Sequence, residues 1–406
     1  KRAGLMKQSA KTLSPPSIPT LALVAAISPL CMNAFLPSLP SMAEYFETSS
    51  STMQLTVSIY LLGTAIMQLI LGPLSDIYGR RPVLLWSTIF MMLATLVCIF
   101  APTIEVLLVG RILQSVGSAG IVLSRAIARD MVGGERAASQ IAYITMGMAL
   151  TPMLAPILGG YLEEWFGWQA NFWLMFYFAG VVGVIMWLDL GETNQHKATS
   201  ITSHFKSYPE LVLSRRFWGY SLTLAFSAGA FFTYLGGAPL IGDEYYKLSP
   251  SQFGYYFVII AIGYIAGNYV SARHSTRFGI NPMMLAGNVI AAGGIGMATV
   301  LSLWQIDNPL AFFGFMFFVG LGNGITLPNA NAGIVNVRPH IAGAASGLGA
   351  TIMTGGGATM AALASRFITP ENGPTGLLTI ILGSLVCATL ATLYVIAVEM
   401  SLEEKQ

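Results

Sequence analysis

The chain has 406 residues, 54% of them hydrophobic and only 9% charged, with a mean hydropathy of +0.67. A water-soluble domain carries about 25% charged residues, so this composition excludes an ordinary soluble protein and implies an integral membrane protein. The net charge of +2 gives no reason to expect a nucleic-acid partner, and Cys31, Cys98 and Cys387 all fall inside apolar runs, where they read as small buried hydrophobes and not as a disulfide framework or a zinc site.

Apolar stretches long enough to span a bilayer occur in chain order at 18–36, 53–72, 83–101, 104–126, 140–162 and 171–190. The first lacks a convincing small-residue cleavage site and is followed by many more such runs, so it is expected to be a retained span and not a cleaved signal. A polar stretch, 191–216, then interrupts, and six further spans follow at 217–241, 253–272, 283–303, 311–330, 341–363 and 376–400. The expected architecture is an all-α membrane protein with 12 transmembrane helices in two pseudo-symmetric six-helix bundles. Its domains are a tail at 1–17, a first bundle at 18–190, a linker at 191–216, a second bundle at 217–400 and a tail at 401–406.

Basic residues accumulate in short cytoplasmic loops, which orients the chain. Placing the N-terminus inside puts seventeen of the 20 Lys and Arg on the cytoplasmic side, including Arg80, Arg81, Arg125, Arg129, Arg136, Arg215, Arg216, Arg273, Arg277 and Arg338. Only Lys247 and Arg366 then lie outside, and Arg111 lies within the fourth span, so both termini and the linker are expected in the cytoplasm. The halves also echo each other at a shift of about 200 residues: Gly63 with Gly263, Gln68 with Asn268, Gly79 with Gly279, Pro82 with Pro282 and Leu85 with Leu285. A parallel repeat of this kind is the arrangement of transporters whose halves rock about a shared site.

At the end of the first span, "SPLCMNAFLPSLP" sets one amide, Asn33, among apolar neighbours, where it must find partners or lose several kcal/mol. After the second span comes "GPLSDIYGRRPVLL". Here the chain resembles the major facilitator superfamily, whose pattern G-x-L-x-D-x-x-G-R-R/K is matched at Gly72, Leu74, Asp76, Gly79, Arg80 and Arg81. The resemblance implies a latch between the halves; Asp76 can pair with Arg80, with Arg129 or with a helix N-terminus. The bland alternative is a basic turn at the membrane face.

In the fourth span, Arg111 and Gln114 stand three apart on one helical face and resemble the family's R-x-x-Q-G pattern, with Ser115 in the glycine place. An arginine within a span costs about 2.5–3.5 kcal/mol on insertion scales, so Arg111 is expected to face the interior and hold a partner, snorkelling toward Glu105 being the alternative. "TPMLAPILGG" in the fifth span resembles the antiporter-associated motif, with Thr151 and Ala155 in place of two glycines and Pro156, Gly159 and Gly160 retained. These residues allow bending and close helix packing. The run 343–358 is small-faced in the same way and reads as packing only.

"NAFLPSLP" with "WFGWQANFW" is similar to the bicyclomycin and chloramphenicol resistance branch of the drug:proton antiporters, in which D-x-x-L-P-x-L-P is typical at the first span's end. Asn33 occupies the acidic slot. An amide has nothing to titrate, all 18 acids fall at loops or span ends, and His196, His204, His274 and His340 fall in segments expected in the cytoplasm. Either coupling resides at an edge group such as Glu105, Asp243 or Glu244, or Asn33 stands where the natural chain carries aspartate, or transport is uncoupled.

A pocket is expected from Asn33, Arg111 and Gln114 with an aromatic wall of Phe231, Phe232, Tyr234 and Leu235, to which Tyr264 and Asn323 add; for each aromatic, core or lipid packing is as good an explanation. The resemblance implies an inner-membrane bacterial exporter of small amphipathic drugs or xenobiotics, alternating access in exchange for protons and acting as a monomer. No enzyme motif and no cofactor is implied beyond the proton as coupling ion. The rivals are an uncoupled or anion-selective metabolite transporter and a non-transporting receptor on the same bundle.

Overall fold

The computed structural model describes residues 16–132, 134–194, 208–306, 308–364 and 373–403. The tail up to residue 15, linker positions 195–207 with His196 and His204, Arg366 and Lys405 lie outside the described residues, as do the side chains of Arg136 and His340. The first half comprises α1 Ile18–Tyr45, α2 Ser50–Tyr78, α3 Arg80–Ile99, α4 Ile104–Met131, α5 Gly134–Phe166 and α6 Gln169–Asp189. The second comprises α7 Arg215–Tyr245, α8 Pro250–Phe278, α9 Ile280–Leu303, α10 Pro309–Val337, α11 Ala342–Ala364 and α12 Gly373–Glu403. Among the described residues, eleven helices are long and apolar enough to cross a membrane. The twelfth long helix, α11, is dominated by Gly, Ala and Thr, which lowers its hydropathy without shortening it. The protein is therefore an all-α, multi-span membrane protein of two six-helix halves, as the sequence predicts.

Several helices run past their apolar stretches. α2 continues to Tyr78 and α8 to Phe278, because a helix does not end where the hydrocarbon does. Their termini repeat with the shift seen in the sequence. At the start of α2 the Ser49 hydroxyl accepts the Thr52 N–H at 3.2 Å, and at the start of α8 the Ser249 hydroxyl accepts the Gln252 N–H at 3.4 Å. At the other end Gly79 (φ 107°) and Gly279 (φ 86°) donate to the Ser75 and Ser275 carbonyls at 3.0 and 2.9 Å, and the next helix starts one residue later. Only glycine adopts such a φ without steric cost, so both helix pairs reverse within a single residue.

Two helices are broken within their span. α1 passes through a tighter turn at Leu36–Ser38, set by Pro37. α7 ends in a π-helical turn, Ile241–Tyr245, just beyond Pro239. α7 is almost wholly buried, whereas α3 and α6 turn Trp86, Leu93, Val181 and Trp187 outward as an apolar belt suited to lipid. Within the second half a buried lattice replaces charge: Ser227 donates to Asn288 at 2.7 Å, and Asn288 to Thr392 at 3.0 Å. With no water in the hydrocarbon, such groups must satisfy one another.

The end of the bundle that carries Arg80, Arg81, Arg129, Arg216, Arg273, Arg277 and Arg338 is called the basic end below, and the opposite one the far end.

Candidate functional site

Arg111 is completely buried inside the first half. Its guanidinium lies between two aromatic faces, 4.2 Å from the Phe35 ring centroid of α1 and 4.4 Å from that of Tyr60 on α2. Nη1 donates to the Cys31 carbonyl at 3.0 Å and to Gln114 Oε1 at 2.5 Å, and Nε donates to the Thr56 carbonyl at 3.3 Å. Nη2 has no partner. Gln114 is held in turn, Nε2 donating to Thr95 Oγ1 at 2.9 Å. The cation is thus matched by carbonyl dipoles and π faces and, among the described residues, by no carboxylate. It does not snorkel toward Glu105, which is exposed at the start of α4.

Asn33 is also fully buried. Its Nδ2 donates to the Pro29 carbonyl one turn back at 2.7 Å, and its Oδ1 has no partner. Asn33 thus lies within the stretch of α1, Cys31 to Phe35, that Arg111 grips, and each of the two residues keeps one polar atom unmatched among the described residues.

Of the residues named for the aromatic wall, Phe231 and Phe232 are in ring contact, with centroids 5.8 Å apart. Phe231 is half-buried, while Phe232 packs against α11 at Gly357. Tyr234 points into the core of the second half, stacked on Phe257 at 5.5 Å beside Phe312 and Phe313, with its hydroxyl unpartnered. Leu235 is fully buried, and Asn323 is buried with Oδ1 unpartnered. Tyr264 is half-buried on α8, its backbone packed against Gly320 and Gly324 of α10.

At the basic end Arg80 gathers the loop between α2 and α3. It is ion-paired with Asp76, its Nε reaches Asp130 Oδ2 of α4 at 3.0 Å, and its Nη1 reaches Ser75 Oγ at 2.5 Å. Glu192, just after α6, accepts the backbone N–H groups of Arg80 and Arg81 at 3.0 and 3.3 Å, and so caps α3 with a carboxylate at the positive end of its dipole. A Cβ on Gly79 would collide with that carboxylate, a second reason for glycine there. Asn194 donates to the Asp76 carbonyl at 2.8 Å, and Arg81 donates to the Trp187 carbonyl at 3.0 Å. Gly72 faces Val122 with ordinary room. These contacts all stay within the first half. Arg129, by contrast, is exposed and leans across to α11, its Nη1 3.8 Å from where a Cβ of Gly343 would sit.

The halves meet tightly at the far end. α5 and α8 touch backbone to backbone: a Cβ on Gly160 would run into the Pro250 carbonyl, and one on Gly254 would lie 2.7 Å from the Pro156 carbonyl oxygen. Gly159 faces inward instead, against the Ala34 carbonyl of α1. Polar contacts frame this seal. Glu164 accepts the Ser251 N–H at 3.0 Å, Glu244 accepts the Ser50 hydroxyl at 2.6 Å, and the Tyr161 and Tyr255 hydroxyls are 2.5 Å apart. A cleft of about 170 Å³ between Pro37, Glu44, Asp243 and Phe253 marks the seam's outer edge.

The family model of the Major Facilitator Superfamily matches residues 21–362. The chain belongs to the major facilitator superfamily. Among curated relatives it is similar to an uncharacterised transporter of this superfamily from Bacillus subtilis (strain 168), 32% identical over 81% of this chain and 83% of that one. It is also similar to a chloramphenicol resistance protein of Pseudomonas aeruginosa, 29% identical over 78% of this chain and 76% of that one. Among solved structures a peptide transporter shares the fold with a TM-score of 0.73, covering 92% of this chain and 93% of that one at 16% identity.

For a major facilitator protein these features describe a secondary-active transporter of small molecules across a bilayer, not an enzyme. Among the described residues, no group of His, Cys, Asp and Glu could hold a metal ion. Two participants escape motif reading: Asp130 and Glu192. Asp130 and Glu192 lie outside the matched loop pattern, and only the fold brings them to Arg80. Arg125 falls at the end of the expected span 104–126, on the side assigned to the cytoplasm, and lies inside α4.

Proposed function

We propose that this transporter exports small amphipathic organic compounds, drugs or xenobiotics, across a bacterial inner membrane in exchange for protons, with its basic end and both termini in the cytoplasm. The observation that carries this reading is the seal at the far end. The residues that resemble the antiporter-associated motif, Pro156 and Gly160, lie where α5 meets α8, so the motif's small side chains close the route to the outside while the arginine-bearing side faces the cell. The named chloramphenicol resistance relative supports the same class of substrate. The loop at Asp76 to Arg81 is the proposed conformational latch.

Proteoliposomes loaded with a pH-sensitive dye test the reading. Addition of chloramphenicol or ethidium should release protons in step with substrate flux, and flux without proton movement would refute coupling. A second reading, uncoupled transport, is favoured by one observation: among the described residues no carboxylate pairs with Arg111 or bonds to Asn33. The same assay separates the two, because Asn33→Asp adds a titratable group there and should give transport a pH dependence that the parent lacks; identical profiles would remove that slot from coupling.

A further inference from the structure

One face of α3 carries Arg81, Leu85 and Met92 at helical spacing, and α6 sets Gly180, Gly183 and Trp187 beside it at the same spacing. The two glycines keep that side of α6 low. A Cβ on Gly183 would meet only Thr88 Cγ2, at 3.7 Å, and one on Gly180 would lie 3.3 Å from Met92 Cε. The result is a groove of about 930 Å³ whose walls include the exposed rings of Trp86 and Trp187. α3 and α6 pack on each other and on other helices of the first half, so the groove lies on that half's own flank. It begins at Arg81 on the basic end and reaches Met92, three turns along α3, about 16 Å by the α-helical rise. This is half of a hydrocarbon core ~30 Å thick, the depth of one leaflet.

Charge is confined to the mouth. Arg81 Nη2 donates to the Trp187 carbonyl at 3.0 Å, and its guanidinium lies 5.3 Å from the Trp187 ring centroid. Its Nε has no acceptor, and among the described residues no carboxylate is ion-paired with it. Glu192 lines the same mouth, but its oxygens already accept the backbone N–H groups of Arg80, Arg81 and Asn194. A cation at headgroup depth above a leaflet-deep apolar slot is complementary to an amphiphile with its acid group on top and hydrocarbon beneath. We propose that this groove is the site of one resident phospholipid, its phosphodiester on Arg81 and one acyl chain along Gly183 and Gly180 to Met92. The arginine fork matches a phosphate, and tryptophans at the mouth suit the membrane interface. The lipid would tie α3 to α6 at the end where Glu192 already straps them.

The test is native mass spectrometry of the full chain in dodecyl maltoside, titrated with palmitoyl-oleoyl phosphatidylglycerol. Diacylglycerol with the same chains keeps only the hydrocarbon, and glycerol phosphate keeps only the phosphate. One phosphatidylglycerol should be retained per chain, and neither partial probe. Arg81→Gln should weaken retention about tenfold and Arg81→Lys less. Gly183→Leu, which fills the groove and leaves the arginine in place, should weaken it as much as Arg81→Gln. Arg273→Gln, exposed at the same end of α8, should change nothing. Retention of diacylglycerol as strong as that of the phospholipid, or unchanged retention in Arg81→Gln or in Gly183→Leu, would overturn the proposal. Displacement of the lipid by glycerol phosphate would reassign the site to a free phosphate, and displacement by chloramphenicol to a transported compound. A dimer that Gly183→Leu abolishes would assign the face to a second copy of the chain. Each of these three outcomes also overturns it.

Discussion

Gly160→Ala is the smallest perturbation that tests the far-end seal. The added methyl would meet the Pro250 carbonyl oxygen, with the Pro250 carbonyl carbon and Ser251 Cα each at 2.7 Å. All three are backbone atoms, so no side chain can swing aside, and ordinary contact requires α5 and α8 to part by roughly 1 Å. Overpacking of this kind costs about 1–3 kcal/mol. The cost falls only on the conformation with the far end closed, because a state with the far end open separates the two backbones. At about 1.4 kcal/mol per factor of ten, the ratio of open to closed molecules should rise roughly five- to 150-fold. Distances between spin labels placed at the far ends of α5 and α8 would record this as growth of a longer population. Gly383→Ala on α12 is the control, since its added methyl meets open space and the change only raises helix propensity. An unchanged distance distribution in Gly160→Ala would refute the claim that this contact seals the route.

Glu192→Ala removes the acceptor from two N–H groups at the start of α3. Hydrogen exchange at Arg80 and Arg81 should accelerate about two- to thirty-fold, the range for a lost helix cap, and unchanged protection would show that the strap is incidental. Gln114→Leu keeps volume but takes from Arg111 its one side-chain acceptor, so detergent-solubilised protein should lose about 1.5–3 kcal/mol, the worth of a hydrogen bond to a charged group. A change below about 0.5 kcal/mol would mean that the Cys31 and Thr56 carbonyls carry the guanidinium without it.

Length, hydropathy and glycine placement made the architecture legible, because membrane spans announce themselves one at a time and need no knowledge of their neighbours. The repeat was legible for the same local reason: Gly79 and Gly279 are set by their own backbone angles. Asp76 with Arg80 sits at helical spacing, so that pair too could be anticipated. What could not be read was which face of each helix meets which partner. Phe231 and Tyr234 are neighbours in sequence, yet Tyr234 is fully buried and stacks on Phe257 while Phe231 is only half-buried and touches Phe232. Glu192 belongs to the Arg80 site only because α6 ends beside α3.

The two arginines of α4 show how one helix can hold a permanent charge in a membrane by two different means. Arg111 is matched from within: the carbonyls of Cys31, just before the break at Leu36–Ser38, and of Thr56 on α2, two ring faces and one amide replace its water, and all of them belong to the first half. A charge satisfied by its own bundle moves with that bundle and feels little when the halves tilt. Arg125 is half-buried and, among the described residues, has no ion pair. Alternating access needs a term that changes between states. A guanidinium satisfied within one half tilts with it, so that term must come from contacts between the halves, such as the approach of α5 and α8 at Gly160 and Gly254.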